Sequence, residues 1–315
     1  MSEQKALLEV KGLKKYFSTP RGMLHAVDDV TFTINKGQTL GVVGESGCGK
    51  STTGRAILRL LEPTGGEVLF EGEDLAKLSK EEMRKKRKDL QIIFQDPFSS
   101  LNPRKTISQT IAEPLLLNKM VTDKKQLQKK VLELMEIVGL AERLYNTYPH
   151  ELDRQRIGIA RALSVNPKFI VCDEPVSALD VSIQAQILNL MEDLQEQMGL
   201  TYMFITHDLS VVNHFSDDIA VMYLGKLIEK APSDELFKNP THPYTQALLS
   251  AIPLPNIHKQ LDRILLKGEI TSPIEPKPVC RFANRCNYAT DRCRSEEPQL
   301  KEISPGHFVS CFLAE

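Results

Sequence analysis

Gly44-Glu45-Ser46-Gly47-Cys48-Gly49-Lys50-Ser51 follows the apolar run TLGVV and precedes the helical pattern STTGRAILRLL. The octapeptide fits GxxxxGK[ST], and strand, glycine turn and helix stand in the order that motif needs. Glycines let backbone N–H groups close around a phosphate, and the start of the helix adds the positive end of its dipole. Lys50 is expected to reach the β- and γ-phosphates of a nucleotide and Ser51 to ligate Mg²⁺, with Thr52 counted among the nucleotide contacts. Downstream, Phe169-Ile170-Val171-Cys172 runs into Asp173-Glu174, so two carboxylates leave a buried strand together. Asp173 is expected to hold Mg²⁺ through water, and Glu174 to polarise an attacking water. Cys172 reads as a small buried apolar residue, not a reactive thiol.

Composition bounds the rest. The 315 residues, 41% hydrophobic and 26% charged, can bury a sizeable core and suit one large domain plus an appendage. Forty basic residues against forty-one acidic ones leave a formal net charge of -1, so no global field recruits nucleic acid or an anionic membrane. The leader Met1 to Leu7 lacks a signal-peptide core, and no apolar run approaches the roughly 18 residues that would span a bilayer. A cytoplasmic chain is expected. In that reducing compartment the six cysteines point to metal ligation or free thiols ahead of disulfides.

Strands and helices interleave, which predicts an α/β fold. ALLEVKGLKKYF and AVDDVTFTINKGQTLGVVG read as short alternating strands. From Asn102 to Leu163 strand signals vanish, and TDKKQLQKKVLELMEIVGL carries apolar residues at helical spacing. KFIVCDEP and TYMFITHD read as buried strands around the amphipathic helix SIQAQILNLMEDLQEQMG, and IAVMYLGKLIEKA returns to strands. KEEMRKKRKD, the densest charge run, reads as a solvated helix face. After Pro232 the chain turns proline-rich, which marks a boundary.

Gln95 follows the strand-like QIIF, Ser177-Ala178-Leu179-Asp180 follows the acidic pair, and His207 ends FITHD. Alone, each is a turn or capping residue. In this order and spacing, over residues 5 to 232, they resemble the Q-loop, D-loop and switch histidine of an ATP-binding cassette (ABC) ATPase. The resemblance implies a P-loop NTPase cassette with a RecA-like core, an antiparallel β subdomain and an α-helical subdomain, about 97–163, within a 1–232 ATPase domain. It further implies that Tyr16 stacks on adenine, Gln95 senses Mg²⁺ and the membrane subunits, Asp180 belongs to the nucleotide site, and His207 contacts the γ-phosphate. For Tyr16 the lesser alternative is an edge-strand aromatic.

The stretch NPTHPYTQALL, Asn239 to Leu249, resembles the extension on the ATPase subunits of oligopeptide, dipeptide and nickel importers, and so does FQDPFSSLNPR, Phe94 to Arg104. Physically, its prolines stiffen the start of a short helix. An extension over 233–315 follows. Within it Cys280, Cys286, Cys293 and Cys311 lie in a region short of core residues. Four thiolates could bind Zn²⁺ or a [4Fe–4S] cluster, as the subfamily resemblance suggests, although the spacings miss the common CxxC patterns. Free thiols beside packed aromatics are the other reading.

One stretch departs from the family. Between Leu152 and Arg154 such cassettes carry a turn resembling LSGGQ that binds the γ-phosphate held by the opposite subunit, whereas here Asp153 replaces Ser-Gly-Gly-Gln. Asp153 could still N-cap the following helix. A carboxylate about 4 Å from a phosphate charge at an effective dielectric near 20 is repelled by roughly 4 kcal/mol, more than the roughly 0.3 to 2 kcal/mol of helix-dipole attraction. The resemblance therefore implies a peptide-importer ATPase subunit, peripheral on the cytoplasmic face of the membrane. Its partners would be a homologous but different ATPase subunit, two permeases and an extracytoplasmic peptide-binding protein, with no nucleic acid. Its impaired signature turn would damage the partner's nucleotide site and spare its own. A nickel importer subunit, a soluble non-transport ABC ATPase and an inactivating lesion at the turn are the alternatives.

Overall fold

The computed structural model of the chain describes residues 5–96, 100–149, 154–177, 179–252, 263–268 and 271–314. The interrupted signature, His150 to Asp153, lies outside the described residues, as do Ala178 and the Pro97 to Ser99 part of FQDPFSSLNPR. Two compact units form: Met1–Lys77 with Phe204–Glu315, and Leu78–Met203.

The first unit opens with a hairpin of β1 (Ala6–Thr19) and β2 (Gly22–Asn35), each 14 residues long. Along β2, Val30, Phe32 and Ile34 are buried while Thr31 and Thr33 are exposed, the period-two pattern of a sheet with one covered face. The register shifts between Val10 and Leu13, where Gly12 takes φ 57°, so a bulge bends the strand there. β3 (Thr39–Val43) is buried at every position, as a parallel strand covered on both faces should be. It leads through the glycine turn into α1 (Lys50–Ile57). β4 (Gly65–Phe70) and β5 (Glu73–Asp74) complete an antiparallel sheet of order β2-β1-β4-β5.

The second unit begins with α2 (Lys80–Lys86), the KEEMRKK run. Ser79 and Glu82 form its capping box, and it buries Met83 alone. The solvated-face reading holds. β6 (Leu90–Ile93) is followed by α3 (Ile107–Leu117), α4 (Lys124–Ile137) and α5 (Arg154–Leu163). The described residues between 102 and 163 contain no strand, as the sequence predicts. β7 (Phe169–Asp173) pairs in parallel with β6, from Leu90 opposite Phe169 to Ile93 opposite Cys172. α6 (Val181–Met198) runs from an Asp180 cap to Gly199, whose φ of 64° closes the helix. β8 (Thr201–Ile205) spans the residues at which the first unit resumes.

There follow α7 (Leu209–Phe215), β9 (Asp218–Tyr223), β10 (Lys226–Pro232), α8 (Ser233–Lys238) and α9 (Pro243–Ser250). After them come α10 (Asp291–Ser295), β11 (Lys301–Ser304) and β12 (His307–Val309). β9 lies parallel to β3, β10 antiparallel to β9, β12 antiparallel to β10, and β11 antiparallel to β12. The C-terminal segment thus adds two strands beyond β10. It also clips onto β2, because Glu275 N–H donates to the Met23 carbonyl at 2.9 Å and His25 N–H to that of Pro273 at 2.9 Å. No helix among the described residues is long and apolar enough to cross a membrane.

Candidate functional site

The loop from Gly44 to Ser51 owes its shape to glycines with different tasks. A Cβ on Gly44 would sit 2.2 Å from the Met222 carbonyl oxygen, and one on Gly49 2.2 Å from that of Ala26. Both positions also take positive φ, 146° and 107°, so neither tolerates a side chain. Gly47 needs only its φ of 79°, since nothing lies within 4 Å of its Cβ position. α1 starts at Lys50 with no side-chain cap on its first turn, the arrangement in which helix N–H groups receive an anion. Lys50 is buried, and its ammonium donates to the carbonyls of Gly44 at 2.8 Å and Glu45 at 3.1 Å. Cys48 is buried in the turn, and burial pushes its thiol up. It packs; it does not react. Ser51 and Thr52 are half-buried on the first turn of α1. Chain geometry, helix end and ammonium all fit a nucleotide phosphate.

On the hairpin of the same unit, Tyr16 is half-buried, and its ring stacks on His25 with centroids 3.9 Å apart. Its hydroxyl donates to Asp28 at 2.5 Å, and burial together with that bond pushes the phenol up. Burial would raise the Asp28 carboxyl, but hydrogen bonds from Tyr16 and His25 and the charges of Lys226 and Arg281 prevail and hold it at about 2. Arg281, from the C-terminal segment, donates to Asp28 and to the Leu224 carbonyl. His207 follows β8 and is exposed, next to Asp208, which caps α7.

In the second unit, Asp173 ends β7 fully buried and Glu174 follows it with φ 47°. A non-glycine residue in that region stores strain of about 1 to 3 kcal/mol, a cost concentrated at functional sites. The Gln95 amide donates to the Glu174 carboxylate at 2.9 Å. Two residues that the sequence could link only by resemblance are therefore hydrogen-bonded. Asp180 caps α6 by accepting from Ile183 N–H at 2.9 Å, a structural task visible beside the one the family implies. Burial pushes the Cys172 thiol up, as a small core residue requires.

Sequence reasoning missed the residues that hold the phosphate loop from outside. The Glu45 N–H donates to the Tyr244 hydroxyl at 2.9 Å, and Arg285 donates to both Glu45 carboxylate oxygens, at 2.6 and 3.0 Å. Tyr244 lies within the NPTHPYTQALL motif, but nothing local in the sequence ties it or Arg285 to the loop.

The metal centre expected at the tail cysteines finds no support among the described residues. All are free thiols, and burial pushes Cys280 up to about 11, with Cys286 and Cys311 also raised. Among the described residues no group of three or more His, Cys, Asp or Glu side chains could hold a metal ion. The expectation of zinc or an iron–sulfur cluster therefore finds no support in this arrangement. Backbone bonds order the segment instead: Cys280 N–H donates to the Cys293 and Glu296 carbonyls, and Cys286 N–H to that of Phe282.

Comparison with known proteins agrees with this geometry. The ABC transporter family profile matches residues 27–177, and the profile of the oligopeptide/dipeptide transporter C-terminal region matches residues 228–293. The chain is 52% identical to the oligopeptide transport ATP-binding protein AppF of Bacillus subtilis (strain 168), over 99% of this chain and 98% of that protein. It is 50% identical to the putative peptide import ATP-binding protein BOV_A0347 of Brucella ovis, over 97% of each. Among solved structures, the dimeric post-hydrolysis ATP-binding cassette MJ0796 bound to ADP and Pi aligns with a TM-score of 0.67 at 29% identity, over 72% of this chain and 98% of that one. A second neighbour, cbiO1 from Clostridium perfringens, part of the ABC transporter complex cbiONQ, aligns with a TM-score of 0.66 at 26% identity, over 74% of this chain and 91% of that one. The chain belongs to the ABC transporter family, as one of the ATP-binding proteins that carry the oligopeptide/dipeptide transporter C-terminal region.

Proposed function

We propose that this chain is the ATP-binding subunit that energises oligopeptide import through a membrane ABC transporter. The observation that carries the reading is a complete phosphate loop in a chain whose relatives, similar along its whole length, are named oligopeptide transport ATP-binding proteins. In this reading the chain sits on the cytoplasmic face of the membrane beside two permeases, pairs with a homologous second ATPase subunit, and serves an extracytoplasmic peptide-binding protein.

The roles assigned to the residues follow from their chemistry. Lys50 releases the Gly44 and Glu45 carbonyls to reach the β- and γ-phosphates, while the N–H groups of the loop from Gly44 to Gly49, except that of Glu45, which Tyr244 holds, and of the first turn of α1, with Ser51 and Thr52, surround them. Ser51, Gln95 and, through water, Asp173 would hold Mg²⁺, which would supply neutralisation of phosphate charge. Glu174, oriented by the Gln95 amide, accepts a proton from the attacking water. His207 donates to the γ-phosphate, and Tyr16 stacks on the adenine. Asp180 belongs to the loop that meets the paired subunit.

Asp153 stands where relatives of the cassette type carry Ser-Gly-Gly-Gln, so the site that borrows this chain's signature turn loses several donors and gains a negative charge. Losing one such donor costs about 10² to 10³ in rate. The test is ATP-driven uptake of a labelled oligopeptide by proteoliposomes holding this chain with its permeases, partner ATPase and binding protein. Uptake is expected, and replacing Asp153 by Ser-Gly-Gly-Gln is expected to raise ATP hydrolysis at least about tenfold. No peptide-stimulated hydrolysis would contradict the transport reading; an unchanged rate in the restored chain would contradict the impaired turn.

A further inference from the structure

The Glu45 residue of the phosphate loop is fixed at every polar group it has. Its N–H donates to the Tyr244 hydroxyl at 2.9 Å, and its carbonyl accepts from Lys50 at 3.1 Å. Its carboxylate accepts a two-pronged pair from Arg285 at 2.6 and 3.0 Å. Tyr244 is on α9 and Arg285 on the cysteine-bearing tail, so both outer contacts come from the C-terminal extension. Neither side chain is free to wander. Tyr244 is fully buried, Arg285 is 9% exposed, and the two are seated by an aromatic cluster. The Tyr223 and Tyr244 ring centroids lie 4.7 Å apart, Phe282 meets them at 5.2 and 5.4 Å, and the Arg285 guanidinium lies 5.9 Å from the Tyr223 ring. A planar fork on a carboxylate fixes orientation as well as distance.

We infer that the C-terminal extension is a clamp on the phosphate loop, in which Arg285 and Tyr244 are positioning residues that act through Glu45 to hold the loop in its Mg·ATP-binding shape. The loop binds phosphate with backbone N–H groups, whose directions are set by the peptide planes on either side of each residue. Glu45 follows Gly44, a residue in a conformation only glycine adopts freely and thus a natural pivot. With its N–H and side chain both tethered to the extension, residue 45 is kept from rotating its peptide planes into the phosphate cradle even after Lys50 leaves its carbonyl for a phosphate. The clamp also supplies the second charge that an acid in a phosphate loop requires, because an unpaired carboxylate there would repel a polyanion.

The inference rests on the reading of the loop as an ATP site, and titration calorimetry of the full-length chain with Mg·ATP separates the two. If the wild-type chain shows no binding, both fall. If it binds, Arg285→Gln is expected to raise Kd about tenfold, the change that 1.4 kcal/mol gives, with Arg285→Lys recovering part of the loss. Glu45→Ala distinguishes positioning from neutralisation alone and carries the test should Arg285→Gln fail to fold. A clamp gives weaker binding on losing the carboxylate, and the double variant is then no weaker than Arg285→Gln, because both changes break one contact. Binding that tightens in Glu45→Ala, or recovers to the wild-type value in the double variant, would overturn the positioning role, as would a Kd within twofold of wild type in Arg285→Gln.

Discussion

His242 caps α9 with its own ring: Nδ1 accepts from the Tyr244 N–H at 3.0 Å, in a site where the residue is 1% exposed. Burial holds its folded pKa at about 3, against about 6.5 in an unfolded chain. Between these values the unfolded chain binds the extra proton, so stability rises with pH across that window and is lost as pH falls from about 6.5 towards 3. His242→Asn keeps a capping acceptor but cannot titrate. The difference in unfolding free energy between wild type and variant is expected to change by up to about 1.36 kcal/mol per pH unit below pH 6, read from urea denaturation at several pH values. Parallel pH dependences would show that the ring takes its proton in the folded state. At this scale the phosphate loop was legible because its residues are contiguous, and chemistry dictates each type. The Arg285–Glu45 pair was not, because its members lie 240 residues apart and neither is unusual where it stands.

Among the elements, β10 carries the most telling polar contact. Glu229 is fully buried on that strand and accepts from the Thr241 N–H at 2.8 Å, the His242 N–H at 3.0 Å and the His307 ring at 2.8 Å. One carboxylate therefore ties β10 to the start of α9 and to β12. Glu229→Leu leaves three donors, two of them buried, without an acceptor and is expected to cost about 3 to 5 kcal/mol in urea denaturation, with Glu229→Gln losing less. A loss below about 1 kcal/mol in Glu229→Leu would mean that these elements are held by apolar contacts alone. Helices were legible in the sequence from their apolar spacing, whereas the caps that start them, Ser79 with Glu82, Asp180 and His242, show only in the structure. The hairpin was read as shorter strands because Gly12 and the charged residues beside it resemble an ending, whereas pairing with β2 and β4 carries β1 through as a bulge. β11 and β12 were not read at all. Their four and three residues are too few for periodicity to speak, and they form by adding to β10.

Across the whole molecule, the C-terminal extension shares one compact unit with the phosphate loop and is not a separate appendage. Its strands extend from β10, residues 273–275 bind β2, and Tyr244, Arg281 and Arg285 reach the loop and the Asp28 that anchors Tyr16. The sequence marks a change in composition near Pro232, but composition says nothing about where a segment folds back. Four cysteines suggested a metal core there, which finds no support among the described residues, while the aromatic cluster of Tyr223, Tyr244 and Phe282 supplies packing. The account stands on the loop at Gly44 to Ser51 being a working nucleotide site within this unit. The direct measurement is calorimetric titration of Mg·ATP into the full-length chain and into Lys50→Ala, which removes the ammonium that now rests on the Gly44 and Glu45 carbonyls. The expected result is saturable one-site binding by the wild type and a Kd at least about a hundredfold weaker in the variant, the change that roughly 2.8 kcal/mol gives; equal affinities in the two chains would contradict it.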